Sequence, residues 1–366
     1  MQIAFFGSSL LSAWWNGAAT YYRGLIRALH ERGHRITFYE PAVLDRQAHC
    51  DLAPPHWADV VVYPNDACAV REMLNEARTA DVVVKASGVG VHDELLEAAV
   101  PGLKRADNVV VYWDVDAPAT LERLQVNPQD ALLQQLPRYD LVLTYGGGPP
   151  VVAAYERLGA RRCVPIYNAL DPSTHFPQPA QVDYAADLVF IGNRLPDREA
   201  RVDEFFLSVA RQCPQQRFLL GGNGWHEHQN MPANVRLLGH VYTCDHNVIN
   251  ASARCVLNIS RASMARCGYA PATRVFEAAG AGACIITDAW PGIEQFFTPD
   301  AEILVADSGA EVARLLRELT PKRAARIGAA ALARVQAEHT YTQRAAAAER
   351  LLAEQLQAQP RATAVP

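Results

Sequence analysis

The sequence is short of several things, and each shortage closes a class of function. No apolar run approaches the roughly 20 residues needed to cross a bilayer, so a membrane-spanning chain is not expected. No basic amphipathic helix argues for contact with a membrane surface. There is no long run of Lys or Arg and the formal net charge is −5, so a nucleic-acid partner is not expected. The opening Met1-Gln2-Ile3-Ala4-Phe5-Phe6-Gly7 has no basic segment before its apolar run and reads as a first strand, not a signal peptide. The eight cysteines (Cys50, Cys68, Cys163, Cys213, Cys244, Cys255, Cys267 and Cys284) include no C-x-x-C pair. Neither a structural zinc site nor a disulfide framework is expected, and a reducing cytoplasm fits. His226 and His228 lie two apart without a third ligand nearby, which is not metal-ligand spacing. His30, His34 and His56 read as ordinary residues. The first glycine loop is not G-x-G-x-x-G, so the dinucleotide fingerprint is missing.

What is present is a long alternation of strand and helix patterns. The chain has 366 residues, half of them hydrophobic and a fifth charged, enough for two globular domains. Strands are expected at 2–7, 35–39, 59–63, 81–85, 108–113, 139–145 and 162–167, with helical spacing between them. Tyr22, Leu25, Ile26 and Leu29 share one helix face, for example. Residues 171–183 break the pattern with Pro172, Pro177 and Pro179 and read as a linker. Alternation restarts at 187–192, with further strands at 217–220, 235–238, 255–259, 284–287 and 302–305. The expected fold is α/β: two doubly wound Rossmann-like domains facing a cleft. The first spans 1–170, the linker 171–183 and the second 184–339. A terminal helix and tail fill 340–366, the tail from Gln359 onward.

One stretch, Arg274 to Asp288, stands out. Ala278 to Ala283 are all Ala or Gly, so this helix can pack close to a sheet, and an apolar run at 284–287 suits a central parallel strand. Arg274 and Glu277 are three apart and share a face. They read either as a surface ion pair or as a carboxylate that accepts hydrogen bonds from a sugar diol while the helix start lies near a phosphate.

The other unusual residues fall at strand ends, where open α/β sheets bind ligands. Gly192 and Asn193, with Arg194, Arg198 and a third arginine, Arg201, either cradle a diphosphate or start a helix at the surface. Gly222 and Asn223 lie in Gly221-Gly222-Asn223-Gly224, a tight backbone beside a ligand or a flexible turn. Asp114 and Asp116 end a strand and could act as general base, hold a hydroxyl or cap the next helix. Gly147 and Gly148 open a helix, as an acceptor contact or a turn. Trp14, Trp15, Asn16 and Gly17 could stack on and hold a sugar, or pack locally.

In this order the motifs resemble a GT-B glycosyltransferase, most closely the CgeB-like group (spore-maturation-type glycosyltransferase-like proteins). The residues that carry it are Asn16 to Arg23 with Gly33-His34, Trp113 to Pro118, Gly146 to Pro149, Phe190 to Asn193 with Arg198, Asn258 to Arg261, and Arg274 to Asp288. Pro291 to Glu294 and Glu302 to Val305 extend it, so the match runs over almost the whole chain. The resemblance implies a hexosyltransferase-type enzyme of the bacterial cytoplasm with a UDP-, GDP- or dTDP-linked sugar as donor. It implies donor binding by the second domain and acceptor binding by the first. Glu277 would grip the ribose, the Gly192–Arg198 region the diphosphate, and Gly239-His240-Val241 would face the base, with Arg261 and Arg274 also on the donor side. The terminal helix would cross back to the first domain. No cofactor or metal is implied, because arginines and a helix start can stabilise the leaving diphosphate. Asp116, then Asp114, would be the base of an inverting reaction. The acceptor is left open among glycans, proteins, lipid-linked sugars and metabolites. Retaining relatives carry a second Glu eight residues before Glu277, where this chain has Tyr269, so the stereochemistry stays open. Two other readings remain: a nucleotide-sugar epimerase on the same fold, and a non-catalytic nucleotide-sugar-binding scaffold.

Overall fold

The computed structural model describes residues 1–14 and 16–358. Two compact units emerge: residues 1–167 with the helix that begins at Tyr341, and residues 168–340.

The first unit is a seven-stranded parallel sheet: β1 Gln2–Phe6, β2 Arg35–Pro41, β3 Asp59–Tyr63, β4 Val82–Ala86, β5 Val109–Asp114, β6 Leu141–Thr144 and β7 Cys163–Pro165. Their spatial order is β3-β2-β1-β4-β5-β6-β7. Helices cover both faces of a parallel sheet, and the strand sequences show it. Val82, Val83, Val84, Val109, Val110 and Val111 are fully buried, so β4 and β5 are apolar on both sides without alternation. The edge strand β3 is partly exposed.

The helix Tyr341–Gln357 belongs to this unit and packs on the helix Ala19–Glu31. Gly24 allows the close approach: a methyl group there would lie 2.1 Å from Cδ2 of the buried Tyr341. Gly24→Ala is therefore expected to cost about 1–3 kcal/mol by overpacking. Thermal unfolding followed by circular dichroism should show a melting temperature lower by several degrees, and an unchanged value would contradict this packing.

The second unit is a six-stranded parallel sheet of β8 Ala186–Ile191, β9 Phe218–Gly221, β10 Val235–Gly239, β11 Ala253–Asn258, β12 Ile285–Asp288 and β13 Leu304–Ala306. The order β10-β9-β8-β11-β12-β13 is the doubly wound one, with its topological switch between β8 and β11. The Ala/Gly run packs as tightly as its composition implies. Ala278 and Ala279 are fully buried, and a methyl on Gly328 would meet the Gly282 carbonyl oxygen at 2.1 Å.

The Pro-rich stretch 171–183 is not a free linker. It is integral to the second unit, and buried polar contacts fix it. His175 and Asp171 are buried, the Phe176 N–H donates to Asn247 Oδ1 at 3.1 Å, and the Gln181 N–H donates to Ser252 Oγ at 2.8 Å. Prolines end regular structure here without ending packing. Trp15 and the tail from Gln359 onward lie outside the described residues.

Candidate functional site

The second unit places its unusual residues at the carboxyl end of the sheet, around the switch point. β8 ends at Ile191, and a glycine follows at 192 because two guanidinium groups fill the space a side chain would take. A methyl on Gly192 would sit 2.8 Å from Arg274 Nη2 and 3.0 Å from Arg198 Nη1. Arg274 is held in place from three sides. Its Nε donates to the Ile191 carbonyl at 2.5 Å, its Nη1 donates to Asn258 Oδ1 at 3.0 Å, and its guanidinium lies 4.8 Å from the Phe190 ring centre. Asn258 is itself fixed by donating to Thr287 Oγ1 at 3.0 Å. Burial, and then the charge of Arg198, push the Arg274 pKa down to about 9. It remains a cation at neutral pH. Two like charges converge on one point of backbone, an arrangement that an anion would relieve.

The loops after β8, β9 and β10 are stitched together beside this point. Asn193 Oδ1 accepts from the Asn223 N–H at 2.9 Å, and the Arg194 N–H donates to the Asn223 carbonyl. Trp225 Nε1 donates to the Gly192 carbonyl at 2.7 Å, and the Gly222 N–H donates to the Gly239 carbonyl at 2.7 Å. Asn223 Nδ2 lies 3.3 Å from His240 Nδ1. Gly222 has φ +122°, and a methyl there would be 2.3 Å from the Gly192 oxygen, so only glycine fits. Val241 packs against Gly221. Gly192, Asn193, Gly222, Asn223, Gly239, His240 and Val241 therefore form one surface.

The arginines divide. Arg198 and Arg274 reach Gly192. Arg194 is instead paired with Glu199 at 2.6 Å and Glu227 at 3.7 Å. Arg261 Nε pairs with Asp197 at 2.6 Å, and Arg201 pairs with the fully buried Asp288 at 2.6 Å. A guanidinium already neutralised by a carboxylate has little left for a diphosphate, so a direct role for Arg194 or Arg261 does not fit this geometry.

Glu277 follows Arg274 by one helical turn on the helix Thr273–Gly280. It is nine-tenths buried. Burial raises its carboxyl pKa, while His246 and Arg274 oppose the rise. Among the described residues neither carboxylate oxygen accepts a hydrogen bond. Two histidines lie just outside that range: His175 Nε2 is 3.9 Å from Oε1, and His246 Nδ1 is 3.9 Å from Oε2. Sequence reasoning missed both histidines, because they are 71 residues apart and share no motif. The expectation of no metal ligands considered only neighbouring histidines.

The first unit rearranges the expected roles. Asp114 is fully buried, and all its acceptor capacity is used within the unit. It accepts from Ser87 Oγ at 2.7 Å, the Asp116 N–H at 2.9 Å, Thr120 Oγ1 at 3.1 Å and the Tyr155 hydroxyl. It is a structural anchor and not a base. Asp116 is half-buried and precedes the helix Ala117–Val126 without capping it through its side chain.

Asn16 is likewise buried. It donates to the Ser9 and Ser12 carbonyls and accepts from Ser8 Oγ, so it staples its own loop and does not face a sugar. Trp14 stacks on His49 with ring centres 4.0 Å apart, which is local packing. Gly17 is exposed. Gly147 precedes the helix Gly148–Arg157 as its N-cap, and Gly148 begins it. Tyr269 has φ +50°, and its ring lies against Gly292.

Comparison with known proteins agrees with this architecture. Residues 198–350 match the family described as Glycosyl transferase-like. No curated protein sequence matches the chain. Among solved structures, Anabaena HepE in complex with UDP and glucose is similar with a TM-score of 0.69 at 15% identity, covering 97% of this chain and 100% of that one. Sucrose-phosphate synthase from Thermosynechococcus elongatus gives 0.71 at 14%, covering 98% and 100%. An E. coli trehalose-6-phosphate protein bound with UDP-2-fluoro glucose gives 0.66 at 10%, covering 99% and 100%. The chain has the GT-B fold of these structures, and the match to the glycosyl transferase-like family runs across most of its second unit and into the final helix.

Proposed function

We propose that the protein transfers a hexosyl group from a nucleoside-diphosphate sugar to an acceptor hydroxyl without a catalytic metal, as a relative of the CgeB-like group. The convergence of Arg198 and Arg274 on Gly192 carries this reading. A diphosphate placed there meets two cations and the backbone of a glycine turn. As the bond between sugar and diphosphate breaks, charge grows on the leaving oxygen, and fixed cations stabilise it without reorganisation. Glu277, buried and with no hydrogen-bond donor on it among the described residues, is suited to accept from the ribose hydroxyls. The stitched loops through Gly222, Asn223 and His240 supply the surface for the base. UDP-glucose in complex with HepE makes uridine nucleotides the first to try. On the first unit, Gly17, Gly147 and Gly148 remain acceptor candidates. Asp116 is the carboxylate left for a base if the reaction inverts.

The test is a thermal-shift screen of UDP, GDP, dTDP and their sugars, run with Glu277→Ala alongside. A nucleotide at 100 times its Kd adds about 2.7 kcal/mol of apparent stability. One nucleotide should raise the melting temperature of the wild type, and Glu277→Ala should lose most of that rise. Absence of any shift across the panel would remove the transferase reading. Tyr269, standing where retaining relatives carry Glu, favours one second reading, a nucleotide-sugar binder without turnover. Binding without either transfer or slow donor hydrolysis would select it.

A further inference from the structure

We propose that His175, His246 and Glu277 form a binding site for a divalent transition-metal ion of the zinc class. The three side chains come from separate segments: the Pro-rich stretch, the helix Thr243–Ser252 and the helix Thr273–Gly280. Their ligand atoms all lie within 4.8 Å of one another. His175 Nε2 and His246 Nδ1 are 3.4 Å apart, and each lies 3.9 Å from an oxygen of Glu277. A tetrahedral ion bound at about 2.0–2.1 Å needs ligand atoms roughly 3.3–3.4 Å apart. The histidine pair already has that spacing. The two 3.9 Å contacts run to different oxygens of Glu277, so the single oxygen that ligates must close on one histidine by up to about 1.4 Å.

The hydrogen bonds also admit the tautomer that ligation requires. The Thr174 hydroxyl has the Asp171 carbonyl as an acceptor at 3.2 Å. With its proton there, its oxygen accepts from His175 Nδ1–H at 3.0 Å. That leaves the Nε2 lone pair directed at His246 and Glu277, with Thr174 as the outer partner that ligating histidines ordinarily have. Two imidazoles and one carboxylate suit zinc, cobalt or nickel, and not magnesium or calcium, which favour oxygen. Three protein ligands leave a fourth position open.

The consequence rests on the donor reading above. A metal on one Glu277 oxygen takes acceptor capacity assigned to the ribose and turns the carboxylate toward the histidines, so metal and nucleotide compete and zinc inhibits the donor site.

The experiment titrates the metal-stripped full chain with Co²⁺ and follows visible absorption, where a tetrahedral complex is far more intense than the aquo ion. A single equivalent should bind and be displaced by Zn²⁺. His246→Ala and Glu277→Gln should each weaken Co²⁺ binding roughly tenfold or more, with metal-free melting temperatures close to wild type to show that they fold. No stoichiometric complex, or one unchanged in both variants, overturns the site. Calorimetry with UDP then reads the competition: free Zn²⁺ at about ten times its own Kd should raise the wild-type Kd for UDP roughly tenfold and leave that of His246→Ala unmoved. Co²⁺ binding with no effect on UDP keeps the metal site and removes the competition. UDP binding that depends on Glu277, with no metal bound, keeps the donor reading and removes the metal site.

Discussion

Arg274→Ala is expected to weaken nucleoside-diphosphate binding by roughly 150-fold, about 3 kcal/mol, the scale for removing one partner of a desolvated charge pair. The ligand-free protein should barely notice. The substitution gives up hydrogen bonds to the Ile191 carbonyl and Asn258 and the contact with Phe190. It also removes a partly buried charge that Arg198 repels. These terms oppose one another, so the melting temperature should stay near wild type while affinity collapses. Arg274→Lys should fall between the two. An ammonium keeps the charge but cannot reach Ile191, Asn258 and a phosphate as one planar fork. Calorimetry with the nucleotide found in the screen decides it. An affinity within about threefold of wild type would mean that Arg274 only props the loop, because even a single hydrogen bond to a charged group contributes more than that.

What the sequence makes legible here follows from how local the cause is. Strand positions were readable because parallel strands buried on both faces must be apolar throughout, as Val82 to Val84 and Val109 to Val111 are. Gly192 and the Arg274–Glu277 spacing were readable because strand end, glycine and helix start are neighbours in the chain. The sorting of the arginines was not. Whether Arg194, Arg201 or Arg261 is taken up by a carboxylate depends on Glu199, Asp197, Asp288 and Glu227, and their positions are set by packing. The stretch 171–183 misled for a related reason. Prolines report the absence of regular structure, but the stretch is held by bonds from Phe176 and Gln181 to Asn247 and Ser252, 71 residues away. The pairing of His175 with His246 has the same origin.

Asp114 shows the same limit most sharply, and it carries the largest expected stability effect. Read locally, it is half of an acidic pair at a strand end, where catalytic carboxylates occur. In the fold, Ser87, Thr120, Tyr155 and the Asp116 N–H all donate to it. Asp114→Ala would leave those donors facing a small buried void. Each unsatisfied donor costs about 1–3 kcal/mol, and water entering the polar cavity recovers part of that. A net loss of about 3–5 kcal/mol is expected, with much of the first unit's cooperative unfolding displaced to lower denaturant. Asp114→Asn should be far milder. Its remaining oxygen can keep the three donors on Oδ1, and its amide can donate to the Tyr155 oxygen, since a phenol both gives and accepts.

The pH dependence has a definite sign. Burial raises the Asp114 pKa in the folded state, so its titration favours folding below the ordinary carboxyl value. That contribution is lost as pH rises through the raised one. Asp114→Asn removes this dependence, and denaturant unfolding of wild type and variant at several pH values should show the difference. The catalytic alternative predicts the opposite pattern: Asp114→Asn would abolish turnover and leave stability and its pH profile unchanged.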